Sequence, residues 1–253
     1  MSRPGAMVLG TFIDAVNWPT TLDRISGWAA RRESRYVCIC NAHSVVTAWQ
    51  VAIFGRVVNE ADMSTSDGAP VAWMLRRLGF SGQTRINGPD LMWQYCERAA
   101  QSSELIFLYG GSPETLKALQ SRLLEHFPKL RIAGAYSPPF RPLSEEEDVA
   151  VIERINTSGA GVVWVSLGCP KQEIWMAAHR GRINAVMVGV GAAFDYHAGT
   201  IKRAPLWMQS CGLEWLYRLA SEPRRLGRRY LVTNSLFVIG AIRQLIRKHW
   251  ERL

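Results

Sequence analysis

Five short apolar runs punctuate the chain: RYVCICNAH (Arg35–His43), LIFLYGGSP (Leu105–Pro113), LRIAGAYSPPF (Leu130–Phe140), GVVWVSLGCPKQE (Gly161–Glu173) and AVMVGVGAAFD (Ala185–Asp195). Each is rich in β-branched or aromatic residues and ends in Gly, Ser, Pro or Asp, a pattern that predicts strands buried on both faces. Between and beside them PDLMWQYCERAAQ, SPETLKALQSRLLEHF, SEEEDVAVIERINTS and KQEIWMAAHRGRI repeat their apolar residues at helical spacing. The second and third open on a serine followed by acidic residues, which cap a helix and complement its dipole. Strands alternating with helices predict an α/β, Rossmann-like fold, a mainly parallel sheet flanked by helices. Sites in such sheets lie at the carboxyl ends of the strands, where the turn residues of these runs fall.

Charge changes the picture at the far end. The chain of 253 residues carries a net charge of +9, and from Lys202 to Leu253 eleven Lys/Arg stand against three Glu. The preceding 201 residues are close to neutral. We therefore divide the chain into an α/β catalytic domain, 1–201, and a basic, amphipathic C-terminal helical appendage, 202–253. Within the second part, EWLYRLASEPRRLGRRYLV crowds five arginines among aromatics and leucines. From Pro223 it predicts a helix, with Ser221 as the cap and Pro223 in the first turn. Arg224 and Arg228 fall one turn apart, and an apolar stretch around Leu236, Phe237, Ile239 and Ile242 precedes Arg243, Arg247 and Lys248. A basic helix with too few apolar residues to span a bilayer is suited to lying in the interface of an anionic leaflet. Arg218, Arg224 and Arg228 are its candidates for binding a diphosphate.

Composition excludes several classes. With 48% hydrophobic and 20% charged residues the chain is globular rather than disordered. No run is apolar for long enough to span a membrane, and MSRPGAMVLGTFIDAV does not read as a signal peptide. Five scattered cysteines without a CxxC pair predict reduced, buried thiols, with Cys38 and Cys40 on one face of their strand. No D-x-D, HExxH or G-x-S-x-G is present, so neither a metal site nor a hydrolase nucleophile is expected, and no cofactor is called for.

Four strand-end segments could carry chemistry. YGGSPET places Gly110 and Gly111 before a helix, where backbone N–H groups can face a phosphate, or simply form a tight turn. LGCPKQE brings Lys171, able to pair with phosphate, and Gln172, able to read a base or sugar hydroxyl, to a helix start. GVGAAFDYHAGTIKRAP carries Asp195 but breaks the dinucleotide-binding pattern at Phe194. STSDGAPVAWML sets Asp67 on a Ser/Thr/Gly-rich loop leading into an apolar helix, where local physics favours a turn or cap residue over a catalytic carboxylate.

In order along the chain, NAHSVVTA, DGAPVAW, RINGPDLM, LYGGSP, VSLGCPKQEIWM and GVGAAFDYHAGTIKRAPLWMQSCGLEWLYRLASEPRRLGRRYL resemble the WecG/TagA/CpsF family, glycosyltransferase family 26. The resemblance covers the chain from about Asn41 to Leu231. It implies an inverting transfer of a sugar from a UDP-sugar onto a saccharide carried on polyprenyl diphosphate, without a D-x-D-bound metal, in cell-surface or exopolysaccharide synthesis. It implies Asp67 as catalytic base, since inversion needs one carboxylate to take the acceptor's proton. It implies Asn41, Gly110, Gly111, Gln172 and Glu173 as donor-pocket residues and Asp195 as a second carboxylate that orients the sugar. The chain departs from the family just before Asn41, where Cys38–Ile39–Cys40 stand, so no polar contact carries over there. The expected partners are a UDP-sugar, a lipid-diphosphate acceptor and the anionic cytoplasmic face of the plasma membrane, held peripherally. Oligomerisation is left open, and the sugar is not specified by spacing.

Two other readings use the same basic tail. A nucleic-acid-binding protein would track phosphates with it, yet no RNP, KH or recognition-helix pattern accompanies the charge. A non-catalytic membrane adaptor would leave the strand-end Asp and Gln without a task, and would bind no UDP.

Overall fold

The computed structural model describes residues 3–251, the side chains of Ser210, Arg225 and Arg229 excepted. The chain opens with an antiparallel hairpin of β1 (Gly5–Val8) and β2 (Thr11–Asp14), followed by α1 (Trp18–Ala30). The hairpin turns through Leu9 at φ 49° and Gly10 at φ 82°, the paired positive values that match the twist of the flanking strands. Then come β3 (Arg35–Cys40), α2 (Ala42–Gln50), α3 (Ala52–Asn59), β4 (Met63–Ser66), α4 (Ala69–Leu78) and α5 (Gly88–Ser102). The middle of the chain forms β5 (Leu105–Gly110), α6 (Pro113–His126), β6 (Arg131–Tyr136), α7 (Glu145–Thr157), β7 (Val162–Ser166), α8 (Lys171–Ala178), β8 (Val186–Gly189) and α9 (Ala193–Ala198). Three helices end it: α10 (Leu206–Ser210), α11 (Glu214–Ser221) and α12 (Pro223–Trp250).

The six central strands pair in parallel in the order β4-β3-β8-β7-β5-β6, so the expected Rossmann-like parallel sheet is present. Its two faces follow the period of two. Tyr36, Cys38 and Cys40 of β3, Phe107 and Tyr109 of β5, and Val163 and Val165 of β7 pack into one core with α2, α3 and α4. Val37 and Ile39, Ile106 and Leu108, and Val162 and Trp164 pack into the other, with α1, α5, α6 and α9. Cys38 and Cys40 do share a face, and with Cys96 they are buried; Cys169 is partly covered, whereas Cys211 is exposed, against the expectation of five buried thiols.

β4 was not legible as an apolar run because it reads MSTS, and all four residues are fully buried. Its polar atoms are satisfied in place. Ser64 N–H donates to Asp14 Oδ2 (2.7 Å), Ser64 Oγ to Val58 O (3.1 Å), Thr65 Oγ1 to Ile86 O (3.3 Å) and Ser66 Oγ to Thr84 O (3.2 Å). A buried hydroxyl with a partner carries little penalty.

The basic tail is seated on the core along α12. Phe237 and Ala241 are 3% exposed within the first core, and a Cβ on Gly240 would fall 2.5 Å from Leu9 Cδ2, so the Leu9 side chain packs closely on the helix there. Leu9 N–H donates to Gln244 Oε1 (2.9 Å), Gln244 Nε2 to Met7 O (2.6 Å) and Lys248 Nζ to Leu78 O (2.8 Å). The contact explains how a leucine is held at positive φ in the hairpin turn. The predicted helix from Pro223 is present, but Ser221 does not cap it. Ser221 is the last residue of α11, its hydroxyl donating back to Tyr217 O (2.9 Å), and the α12 N-cap is Glu222. No helix of the described residues is long and apolar enough to cross a membrane.

Candidate active site

The carboxyl edge of the sheet gathers the candidate residues, and the end of β4 supplies the central one. Asp67 N–H donates to Cys40 O (2.9 Å), which holds the turn after β4 against the end of β3. Gly68 then takes φ +86°, conformational freedom that lets the chain break into α4 immediately after the carboxylate. Beside it Asn41 caps α2, its Oδ1 accepting from Ser44 N (3.1 Å) and Ser44 Oγ (3.3 Å). Among the described residues the Asn41 Nδ2 amide has no protein partner, so it is the group free to meet a ligand.

Asp67 lies among alternating charges. Burial pushes its pKa up from 3.8 to about 6; Arg85, Arg203 and Arg218 oppose that rise and Glu214 adds to it. These groups arrive from distant parts of the chain. Arg85 is placed by Ile86 N–H donating to Ser66 O (2.9 Å). Arg203 follows α9 and bridges two carboxylates: Asp90, through a short Nη1 contact to Oδ1 and a 3.2 Å contact to Oδ2, and Glu214 Oε1 at 3.2 Å from Nε. Glu214 begins α11 and also accepts from Arg85 Nη2 (3.0 Å). Asp90 is itself placed by its N–H donating to Asn87 Oδ1 (3.0 Å), the cap of α5. One turn beyond Glu214, Arg218 sits with its guanidinium 5.7 Å from the centre of the Tyr196 ring, and its buried Nε has no partner among the described residues. Three guanidinium groups thus stand beside the Asp67 carboxyl, two of them already paired with Asp90 and Glu214.

Glycine turns follow β5 and β8 at the same edge of the sheet. Gly110 at φ +114° must be glycine, since a Cβ would fall 2.4 Å from Ser166 O; Gly111 follows at φ +71° and its N–H donates to that same carbonyl (3.3 Å). These contacts fix the turn ahead of α6, whose N-cap Ser112 accepts from Thr115 N–H (3.1 Å). Across from it, Ser166 Oγ donates to Gly191 O (2.7 Å) at the end of β8.

Gln172 and Glu173, expected in the donor pocket, are 4% and 1% exposed, and their contacts run to the turn after β8. Gln172 Oε1 accepts from Gly191 N–H (3.1 Å), its Nε2 donates to Glu173 Oε1 (2.9 Å), and a Cβ on Gly189 would lie 3.0 Å from that Nε2. Burial pushes the Glu173 carboxyl up, and its Oε2 has no hydrogen-bond partner among the described residues. Cys38 and Cys40, where relatives were expected to carry polar groups, are fully covered, and burial raises both thiols well above their usual range.

Lys171 is exposed at the first position of α8. Asp195 sits in the first turn of α9 and closes the loop that leads to Arg203, its carbonyl accepting from Thr200 N–H (3.1 Å) and Ile201 N–H (3.3 Å). Of the three tail arginines, Arg218 acts on Asp67, whereas Arg224 and Arg228 stand exposed on the first turns of α12. Sequence reasoning missed Arg85, Arg203, Glu214 and Tyr196. All four lie inside quoted motifs, but nothing in their local spacing signals that they meet.

The residues just described, from Asn41 to Arg218, fall within the stretch 6–251 that matches the model of the glycosyl transferase WecG/TagA/CpsF family, and the chain belongs to that family of glycosyltransferases of cell-surface polysaccharide synthesis.

Proposed function

We propose that the protein is an inverting glycosyltransferase that moves a sugar from a UDP-sugar to a saccharide carried on polyprenyl diphosphate. One observation carries the reading: a carboxyl of raised pKa, Asp67, sits beside Arg85, Arg203 and Arg218 at the carboxyl edge of the sheet. Asp67 takes the proton of the acceptor hydroxyl as its oxygen bonds to the anomeric carbon. The bond from that carbon to the diphosphate breaks on the opposite face, and UDP departs with the electron pair. The guanidinium groups offset the charge that develops on the diphosphate, so the transfer needs no divalent metal. Asn41, Gly110, Gly111 and Lys171 contact the donor, Asp195 orients the sugar, and Gln172 and Glu173 hold the Gly191 turn against it.

The acceptor's lipid tail calls for a membrane surface. The outward face of α12 exposes Leu231, Val238, Ile242, Ile246 and Trp250, with Arg224 and Arg228 toward one end and Arg243 and Arg247 alongside. Such a face binds peripherally at an anionic leaflet, Arg224 and Arg228 meeting phosphate there.

The test is a panel of UDP-sugars offered with a short-chain lipid-diphosphate saccharide, with and without EDTA, the product anomer read by NMR. Transfer from one UDP-sugar with inversion, undiminished by EDTA, is expected. No transfer and no binding of UDP would refute the reading, and activity lost in EDTA and restored by Mg²⁺ would refute its metal-free part.

A further inference from the structure

Glu214 is a carboxylate in a place suited to phosphate. Both its oxygens are engaged by arginines, Oε2 by Arg85 at 3.0 Å and Oε1 by Arg203 at 3.2 Å, and its side chain is 18% exposed. The two arginines come from distant parts of the chain, one between α4 and α5 and the other after α9, and both bond to Glu214. Around Asp67 the guanidinium groups of Arg85, Arg203 and Arg218 face the carboxyls of Asp67, Asp90 and Glu214. The three positive and three negative groups nearly cancel, although a departing diphosphate demands positive charge. Asp90 cannot easily yield, because it is also tied to Asn87 through Oδ2 (2.6 Å) and the cap of α5. Glu214 stands at the first position of α11, and among the described residues its side chain bonds only to the two arginines.

We infer that Glu214 holds the place of the donor's diphosphate, keeping Arg85 and Arg203 together and α11 seated until the diphosphate displaces it. The inference rests on the donor reading above and adds a positioning residue to it. The spacing supports the exchange: Arg85 and Arg203 grip opposite oxygens of one anion, and a diphosphate offers more oxygens over a similar span. Displacement also has a mechanical consequence. Arg218 lies one turn along the same helix, so α11 gives up its tether through Glu214 as Arg218 gains a phosphate partner. Donor binding then changes how α11 is held over Asp67.

The experiment measures binding of UDP, and separately of inorganic pyrophosphate, to the full chain and to Glu214→Gln and Glu214→Ala, at low and high salt. Hydrogen exchange of residues 214–221 in the unliganded proteins is followed in parallel. We expect both variants to bind UDP about three- to tenfold more tightly at low ionic strength, as removal of one like charge at close range allows. The gain should shrink with salt, and unliganded α11 should exchange faster in the variants. A merely structural bridge would speed exchange while leaving UDP affinity unchanged or weaker, and a surface spectator would change neither; both results overturn the inference. UDP binding to none of the proteins would instead strike at the donor reading itself.

Discussion

Replacing Asp67 by Asn tests the site at its centre, and the structure sets the magnitude on two axes. The first is turnover. A pKa of about 6 leaves about nine in ten Asp67 carboxyls ionised at pH 7 and about one in ten at pH 5. The wild-type kcat/KM should therefore fall about tenfold per pH unit below 6, and Asp67→Asn should lose that acid limb together with about 10²–10⁴ of the rate. Arg218→Gln removes one of the cations that hold the value down, so in that variant the limb should move to higher pH. The second axis is stability. The folded protein raises the carboxyl's pKa from 3.8 to about 6, so ionisation is easier in the unfolded chain. Well below pH 3.8 the group is protonated in both states and contributes no difference. As pH rises from 4 to 6 the unfolded chain ionises first, and the native state loses stability that it does not regain above pH 6.

The shift corresponds to an upper bound of about 3 kcal/mol. Asp67 keeps partial contact with solvent, so about 1–2 kcal/mol is the expected cost. Asp67→Asn should hence be neutral near pH 3.5 and raise the thermal midpoint by about 2–6 °C at pH 8, for a chain of this size. Paired melts at the two pH values and an initial-rate pH profile measure both axes. A variant that keeps near-wild-type turnover, or that is destabilised at pH 8, would return Asp67 to the role of a turn residue.

Gly110→Ala forces a Cβ to 2.4 Å from a backbone carbonyl at φ +114° and should cost at least about 2 kcal/mol, whereas Gly111→Ala, at φ +71° with only ordinary contacts, should cost about 1 kcal/mol; chemical denaturation compares them. Ile242→Glu together with Ile246→Glu, on the exposed face of α12, should weaken binding to vesicles containing anionic lipid severalfold or more while leaving the melting temperature nearly unchanged, and unaltered sedimentation with vesicles would refute the membrane face. Phe237→Ala, on the opposite face of the same helix, should cost about 3–5 kcal/mol, which a denaturant titration reads directly.

The opposite consequences expected at the two faces of α12 mark where sequence reading succeeded and where it stopped. Four of the five apolar runs became β3, β5, β7 and β8, because strands buried on both faces need continuous apolar sequence, whereas the fifth, β6, forms the sheet edge and is only partly covered, against the expectation. β4 needs none, since its hydroxyls and amides bond to Asp14, Val58, Thr84 and Ile86, and a strand held by polar partners leaves no apolar signature. The hairpin at Leu9–Gly10 lacks the Asn-Gly or Asp-Gly signal, and Leu9 is held in its conformation by Gly240 and Gln244 from the other end of the chain. The charge excess after residue 201 suggested a basic surface throughout that segment. Arg203, however, is bonded to Asp90 and Glu214, and Phe237 and Ala241 belong to the core. Net charge counts residues without their partners.

The site follows the same division. Asp67 and Arg218 could be singled out because each lies in a distinctive local motif, and the fold brings them together. Gln172 and Glu173 lie in an equally distinctive motif but are buried, Gln172 against the Gly191 turn, because a motif preserves a geometry whether its side chains touch a ligand or hold a loop. The Arg85–Glu214 pair spans 129 positions in the chain and Arg203–Asp90 spans 113. Helical and strand periodicities relate residues a few positions apart, so they carry no information about such pairs. What joins them is topology: the crossing from β4 to α5 and the return from α9 to α11 bring both arginines to one carboxylate at the edge of the sheet. The charges that tune the proposed base are thus set by the parallel order of strands, and a substitution that shifts α11 should alter Asp67's titration without touching Asp67.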